Sequence, residues 1–197
     1  MTGYKAKDYL IIVGLAALII YGVETFKGKS TTSNPPKVNK VGRNIIIGDS
    51  HGVGISFITK NAKAESGLAK SGWTMANVLS ALKNKGVDNS VARVFISIGT
   101  NGQFSSKDDV TTFIKTIKAK FPQADIYVYG GSYGWSGSAI RATLEDRFAK
   151  YYKRFEDMGV YLMKNKLGYF TTDAGAHSVK TEQAKAIAQE IDSLSKQ

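Results

Sequence analysis

"NIIIGDSHGVG", residues 44–54, decides how the rest of the chain is read. Three isoleucines, Ile45–Ile47, are β-branched and apolar, the composition of a buried strand. They run directly into Gly48, Asp49 and Ser50, with His51, Gly52 and Gly54 behind. One reading is a tight turn and nothing more. The other is that the strand is a post, with Ser50 the reactive atom mounted at its end.

Outward from this stretch, strand-type runs recur at Val94–Ile98, Ile126–Tyr129 and Val160–Met163. Amphipathic helical patterns separate them. One covers 74–86. A second starts near Asp108 and is closed by Phe121-Pro122. A third covers roughly 138–158, with Leu144, Phe148, Tyr151 and Phe155 as a core-packing stripe, and a last runs from about Lys180 to Leu194. Strands alternating with helices imply βαβ units and a mostly parallel sheet covered on both faces. Ligands in such sheets sit beyond the carboxyl ends of the strands. Ser50 and the Gly99-Thr100-Asn101 segment should therefore arrive at one rim.

The chain has 197 residues, 43% of them hydrophobic and 22% charged, enough for one α/β domain with an appendage. It has no cysteine, which excludes disulfides, thiolate metal sites and a cysteine nucleophile. No metal set or cofactor is expected. The formal net charge of +11 is spread along the chain and favours anionic partners, but no run of five basic residues and no nucleic-acid motif is present. No specific nucleic-acid partner is expected, and the sequence leaves the oligomeric state open.

Residues 9–23, "YLIIVGLAALIIYGV", carry no charge and are flanked by lysines. A spanning helix needs about 20 apolar residues. With Tyr21, Phe26 and snorkelling lysines the segment can cross a thin bilayer. A cleaved signal peptide and a buried core helix are the alternatives; no A-x-A-like site follows the run. The expectation is a membrane anchor in residues 1–26, a polar tether over 27–42, and a globular domain over 43–197, with the membrane side open.

A serine hydroxyl needs a base, a group that orients the base, and donors for the oxyanion. The chain has two histidines. His51 adjoins Ser50, and neighbouring side chains diverge, so it reads as a pocket or surface residue. His177 lies in the loop before the last helix, with Asp173 four residues ahead and Gly175 between them. That loop can return to the Ser50 rim. Taken alone, His177 reads first as a satisfied structural histidine.

Here a resemblance enters. "IIIGDSHG" resembles the first sequence block of the SGNH (GDSL-type) hydrolases, "SGWTMANVL" is similar to their second, "ISIGTNG" to their third, and "DAGAH" to their fifth. The blocks occur in the family's order across 44–190. The resemblance implies a flavodoxin-like, three-layer α/β/α sandwich and esterase or lipase activity. It implies Ser50 as nucleophile, His177 as base and Asp173 as its orienting acid. The Ser50 N–H, the Gly72 N–H and the Asn101 amide would form the oxyanion hole. Three departures stand out. Asp173 is one residue farther from His177 than in the family, position 102 is glycine where the family has aspartate, and "SVKTEQ" lacks the usual glycine. A bulged loop would complete a triad; otherwise the pair is a Ser–His dyad.

The leading expectation is thus a membrane-tethered serine esterase acting on an acyl ester, such as an O-acetylated envelope polysaccharide or a lipid. "GGSYGWSGS", 130–138, could line its acyl or sugar site. The alternative is a non-catalytic SGNH-like structural or carbohydrate-binding module of an envelope or of a membrane-containing virus particle. A third possibility, phosphate cradled by Gly48 and Gly52-Val53-Gly54 in a nucleotide or flavin site, lacks a Gly-x-Gly-x-x-Gly motif or P-loop.

Overall fold

The computed structural model describes residues 40–98, 101, 106–130, 151–164 and 182–197. They belong to the second of the chain's two units, Lys37–Gln197. The order is β1 (Arg43–Gly48), α1 (Ser50–Ile58), β2 (Lys63–Ala69), α2 (Met75–Asn84), β3 (Val91–Ile98), α3 (Lys107–Lys120), β4 (Asp125–Gly130), α4 (Tyr152–Asp157), β5 (Tyr161–Leu162) and α5 (Glu182–Leu194). The five strands lie in the order β2-β1-β3-β4-β5, and every pair is parallel.

Strand alternation builds two cores. Ile45 and Ile47 of β1, Val94 and Ile96 of β3, and Ile126 and Val128 of β4 point to the face covered by α2, α3 and α4, where Val78, Leu82, Phe113, Ile117 and Phe155 are fully buried. The intervening residues, Ile46, Phe95, Tyr127 and Tyr129, point to the other face and meet Ile55 of α1 and Ala184, Ile187 and Ile191 of α5. The expected three-layer α/β/α sandwich is the observed one. Tyr151 and Phe155 are core residues, as their stripe predicts; Leu144 and Phe148 lie outside the described residues.

Helix starts follow local chemistry. Thr74 caps α2 and Ser106 caps α3, each in a reciprocal box with the residue three positions on, Asn77 and Asp109. Two elements were not read from the sequence. The segment 50–58 is a full helix. The segment "KAESGLA" is a strand, β2. Of its residues only Leu68 is buried, because β2 is an edge strand whose Lys63 and Ser66 face solvent. Gly67, at φ +74°, falls where the β1–β2 register shifts.

The base of the sheet is pinned by charges. Lys40, at the end of the tether, donates to the Asp125 carboxylate at 2.6 Å and to the Gln123 carbonyl at 3.1 Å. Arg43 bridges Glu65 (3.1 Å) and Asp88 (2.8 Å), and Lys85 reaches Glu65 at 2.9 Å. Burial pushes the Glu65 carboxyl up, but the hydrogen bonds from Lys85 and Arg43 outweigh it and hold the group below its usual value. A depressed carboxylate contributes stability above its unfolded pKa and loses it as pH falls through the folded one. Glu65→Gln is therefore expected to lower the urea midpoint at pH 7 by an amount equivalent to about 1 kcal/mol or less. The gap to wild type should narrow as pH falls below the ordinary carboxylate range, through the depressed folded pKa. A gap independent of pH would show that packing, not charge, holds Glu65.

Residues 9–23 and most of the tether lie outside the described residues. Among the described residues no helix is long and apolar enough to cross a membrane.

Candidate active site

In this strand order the chain leaves β1 toward β2 on one side, then returns to place β3 on the other. β1 and β3 are thus the neighbouring strands at which the strand order reverses, the place in such sheets where ligands bind beyond the carboxyl ends. Ser50 follows β1, and Asn101 follows β3.

The turn bearing Ser50 is shaped by close main-chain approach. Gly48 has φ +136°, and a Cβ there would stand 1.7 Å from the Ser97 carbonyl oxygen. Only glycine fits both conditions. The Asp49 N–H donates to that same carbonyl at 3.0 Å. Asp49 then caps α1: its Oδ1 accepts from the His51 N–H at 3.0 Å and from the Ser97 hydroxyl at 3.0 Å. Asp49 and Ser97 are both fully buried. Ser50 is half-buried and is the first residue of α1. The positive end of the helix dipole thus lies at Ser50.

Gly72 reaches the same place from β2. The Gly48 carbonyl accepts from the Lys70 N–H at 3.1 Å, so Ser50 and Gly72 each lie two residues beyond one hydrogen-bonded pair. Gly72 has φ +78°, with no atom within 4 Å of where a Cβ would stand. The left-handed backbone, rather than crowding, is what calls for glycine here. From β3, the Asn101 Nδ2 donates to the Trp73 carbonyl at 3.2 Å. That bond fixes the Asn101 amide beside the residue after Gly72 and uses one of its two N–H donors. The turns carrying Ser50, Gly72 and Asn101 are therefore joined directly by hydrogen bonds. Asp173, His177, Gly102 and most of the 130–138 loop lie outside the described residues.

His51, read as a pocket or surface residue, is 5% exposed, which removes the surface reading; its place in the first turn of α1 carries it into the interior. Gly52 and Gly54, the glycines of the alternative phosphate-site reading, lie within α1 itself. A Cβ on Gly52 would stand 3.1 Å from the Ser97 Cβ and 3.2 Å from Ile46 Cγ2, so Gly52 brings the helix down onto the sheet.

Sequence patterns missed Ser97 and Tyr129, which lie behind the turn. Burial pushes the Tyr129 phenol far above its ordinary value; the Ser97 hydroxyl opposes this and the Asp49 charge adds to it. The available signal was a hydroxyl inside the buried run "VFISI". A separate cleft of about 740 Å³, lined by Ile58, Lys60, Lys185, Asp192 and Lys196 among others, opens at the far end of α1. It is ~12 Å along the helix from Ser50, at 1.5 Å per residue.

Solved structures share this architecture. A GDSL-like lipase from Bacteroides thetaiotaomicron superposes with a TM-score of 0.55 at 15% identity, over 80% of this chain and 89% of its own. The fold is that of the SGNH hydrolases. An alpha/beta hydrolase enzyme from the metagenome of Lake Arreo, Spain, superposes with a TM-score of 0.56 at 12% identity, over 80% of this chain and 96% of its own. A protein described as an acylhydrolase from Bacteroides fragilis gives 0.51 at 16% identity, over 84% and 91%. No protein-family model and no curated protein matches the chain.

Proposed function

We propose that the chain is a serine ester hydrolase working through an acyl-enzyme. The observation that carries this is the hydrogen-bonded linkage of the Ser50, Gly72 and Asn101 segments at the carboxyl ends of β1, β2 and β3. The structural neighbours, a lipase, a hydrolase and an acylhydrolase, support the same chemistry.

The Ser50 hydroxyl attacks the ester carbonyl while His177 takes its proton, with Asp173 orienting the imidazole. The resulting oxyanion lies among the Ser50 N–H, the Gly72 N–H and the Asn101 amide. His177 returns the proton to the departing alcohol. Water then enters by the same route and releases the acid. The apolar 9–23 segment and the positive charge favour a membrane-anchored enzyme acting on an acyl, for example O-acetyl, ester of an envelope polysaccharide or lipid.

Hydrolysis of a short-chain chromogenic ester by the full chain tests this activity. Asn101→Ala removes one oxyanion donor and should lower kcat by roughly 10²–10³-fold, with KM changed far less. A variant that hydrolyses at the wild-type rate would remove Asn101 from the site. The second reading, a non-catalytic SGNH-like module, is favoured by Gly102 in place of aspartate and by the extra residue between Asp173 and His177. It predicts no ester turnover at all.

A further inference from the structure

We infer that Ser97, acting through the buried carboxylate of Asp49, is a positioning residue for the turn that carries Ser50. The inference deepens the hydrolase proposal and rests on it for its kinetic consequence.

Ser97 touches the turn at three of the four positions around Ser50. At Gly48, its register partner, the Ser97 carbonyl lies where any side chain would have to go. At Asp49 it binds twice, its carbonyl accepting from the main-chain N–H and its hydroxyl donating to Oδ1, both at 3.0 Å. At Gly52 its Cβ forms the floor on which the first turn of α1 rests. The turn is thus moulded on one residue of the neighbouring strand. Asp49 Oδ1 is shared between the Ser97 hydroxyl and the His51 N–H. Ser50 sits between Asp49 and His51, so its Cα is fixed from both sides through this one oxygen.

Ser97 is fully buried, and so is Tyr129, its register partner on β4. The raised Tyr129 phenol stays neutral and places no second negative charge beside Asp49. Removing the Ser97 hydroxyl takes away the bond that ties Asp49 Oδ1 to β3 and leaves the His51 N–H bond to that oxygen in place. A nucleophile displaced by about 1 Å loses roughly 10²-fold in rate without losing substrate affinity.

Ser97→Ala keeps the Cβ that supports Gly52 and deletes only the hydroxyl. On a short-chain chromogenic ester the full-length variant should lose 10- to 100-fold in kcat with KM within about two-fold. Its amides at 49–53 should exchange hydrogen at least about tenfold faster, while those of α3 and β4 keep their rates. The double variant with Asp49→Ala should be no slower than Asp49→Ala alone, because Ser97 acts through that carboxylate. Wild-type kcat in Ser97→Ala, exchange that quickens equally everywhere, or strictly additive effects in the double variant would each overturn the inference. If the wild-type chain turns over no ester, the hydrolase proposal falls, and exchange alone decides the matter: local loosening at 49–53 upholds the role of Ser97, and unchanged exchange overturns it.

Discussion

Ser50→Ala is expected to lower ester hydrolysis by the full chain by roughly 10⁴-fold or more, the scale seen when a serine nucleophile is removed from a hydrolase site. Ser50 is half-buried at the first position of a helix that Asp49, not Ser50, caps. Alanine is the best helix former, so the variant should fold with a near-wild-type urea midpoint. A large kinetic loss in a stable protein assigns the hydroxyl to the reaction. A loss below about tenfold, measured at equal folded concentration, would mean that hydrolysis takes place elsewhere.

Gly48→Ala should have the opposite profile, a large loss of stability. Its Cβ would lie 1.7 Å from the Ser97 carbonyl oxygen, and that oxygen belongs to the central strand β3. No side chain can swing aside to relieve the clash, and φ +136° is strained for any residue with a Cβ. Either β1 withdraws from β3 or the turn flips, and both break the Asp49 N–H bond to Ser97. A loss of roughly 3–5 kcal/mol is expected, combining backbone strain with displacement of packed strands. Urea unfolding followed by circular dichroism measures it. Gly72→Ala, at φ +78° with open space around it, should cost only the strain, about 1 kcal/mol. Equal losses at the two positions would mean that the close approach at Gly48 is not what its glycine serves.

Central strands were legible in the sequence because both their faces are buried. Ile45–Ile47 and "RVFISI" have apolar residues at nearly every position, a pattern that surface segments do not show. Edge strand β2 was not, since at the sheet edge it keeps Lys63, Glu65 and Ser66, and Leu68 is its one buried residue. Helix α1 was hidden by Gly52 and Gly54, each costing about 1 kcal/mol in a helix. It forms because Asp49 caps it and because Gly52 must lie flat against Ser97 and Ile46. Ser50, Gly72 and Asn101 were legible as motifs, through a strand ending in Gly-Asp-Ser, a glycine ahead of a capped helix, and an asparagine after the next strand. The part Ser97 plays was not legible. It depends on which strand lies beside β1, and that is set by chain topology rather than by any local pattern.

The most direct test is to treat the full-length chain with a fluorophosphonate probe and map the adduct by peptide mass spectrometry. A single phosphonylated site at Ser50, abolished by Ser50→Ala, is the predicted result. An unmodified chain, or an adduct on any other serine, would contradict the assignment of Ser50 as the nucleophile.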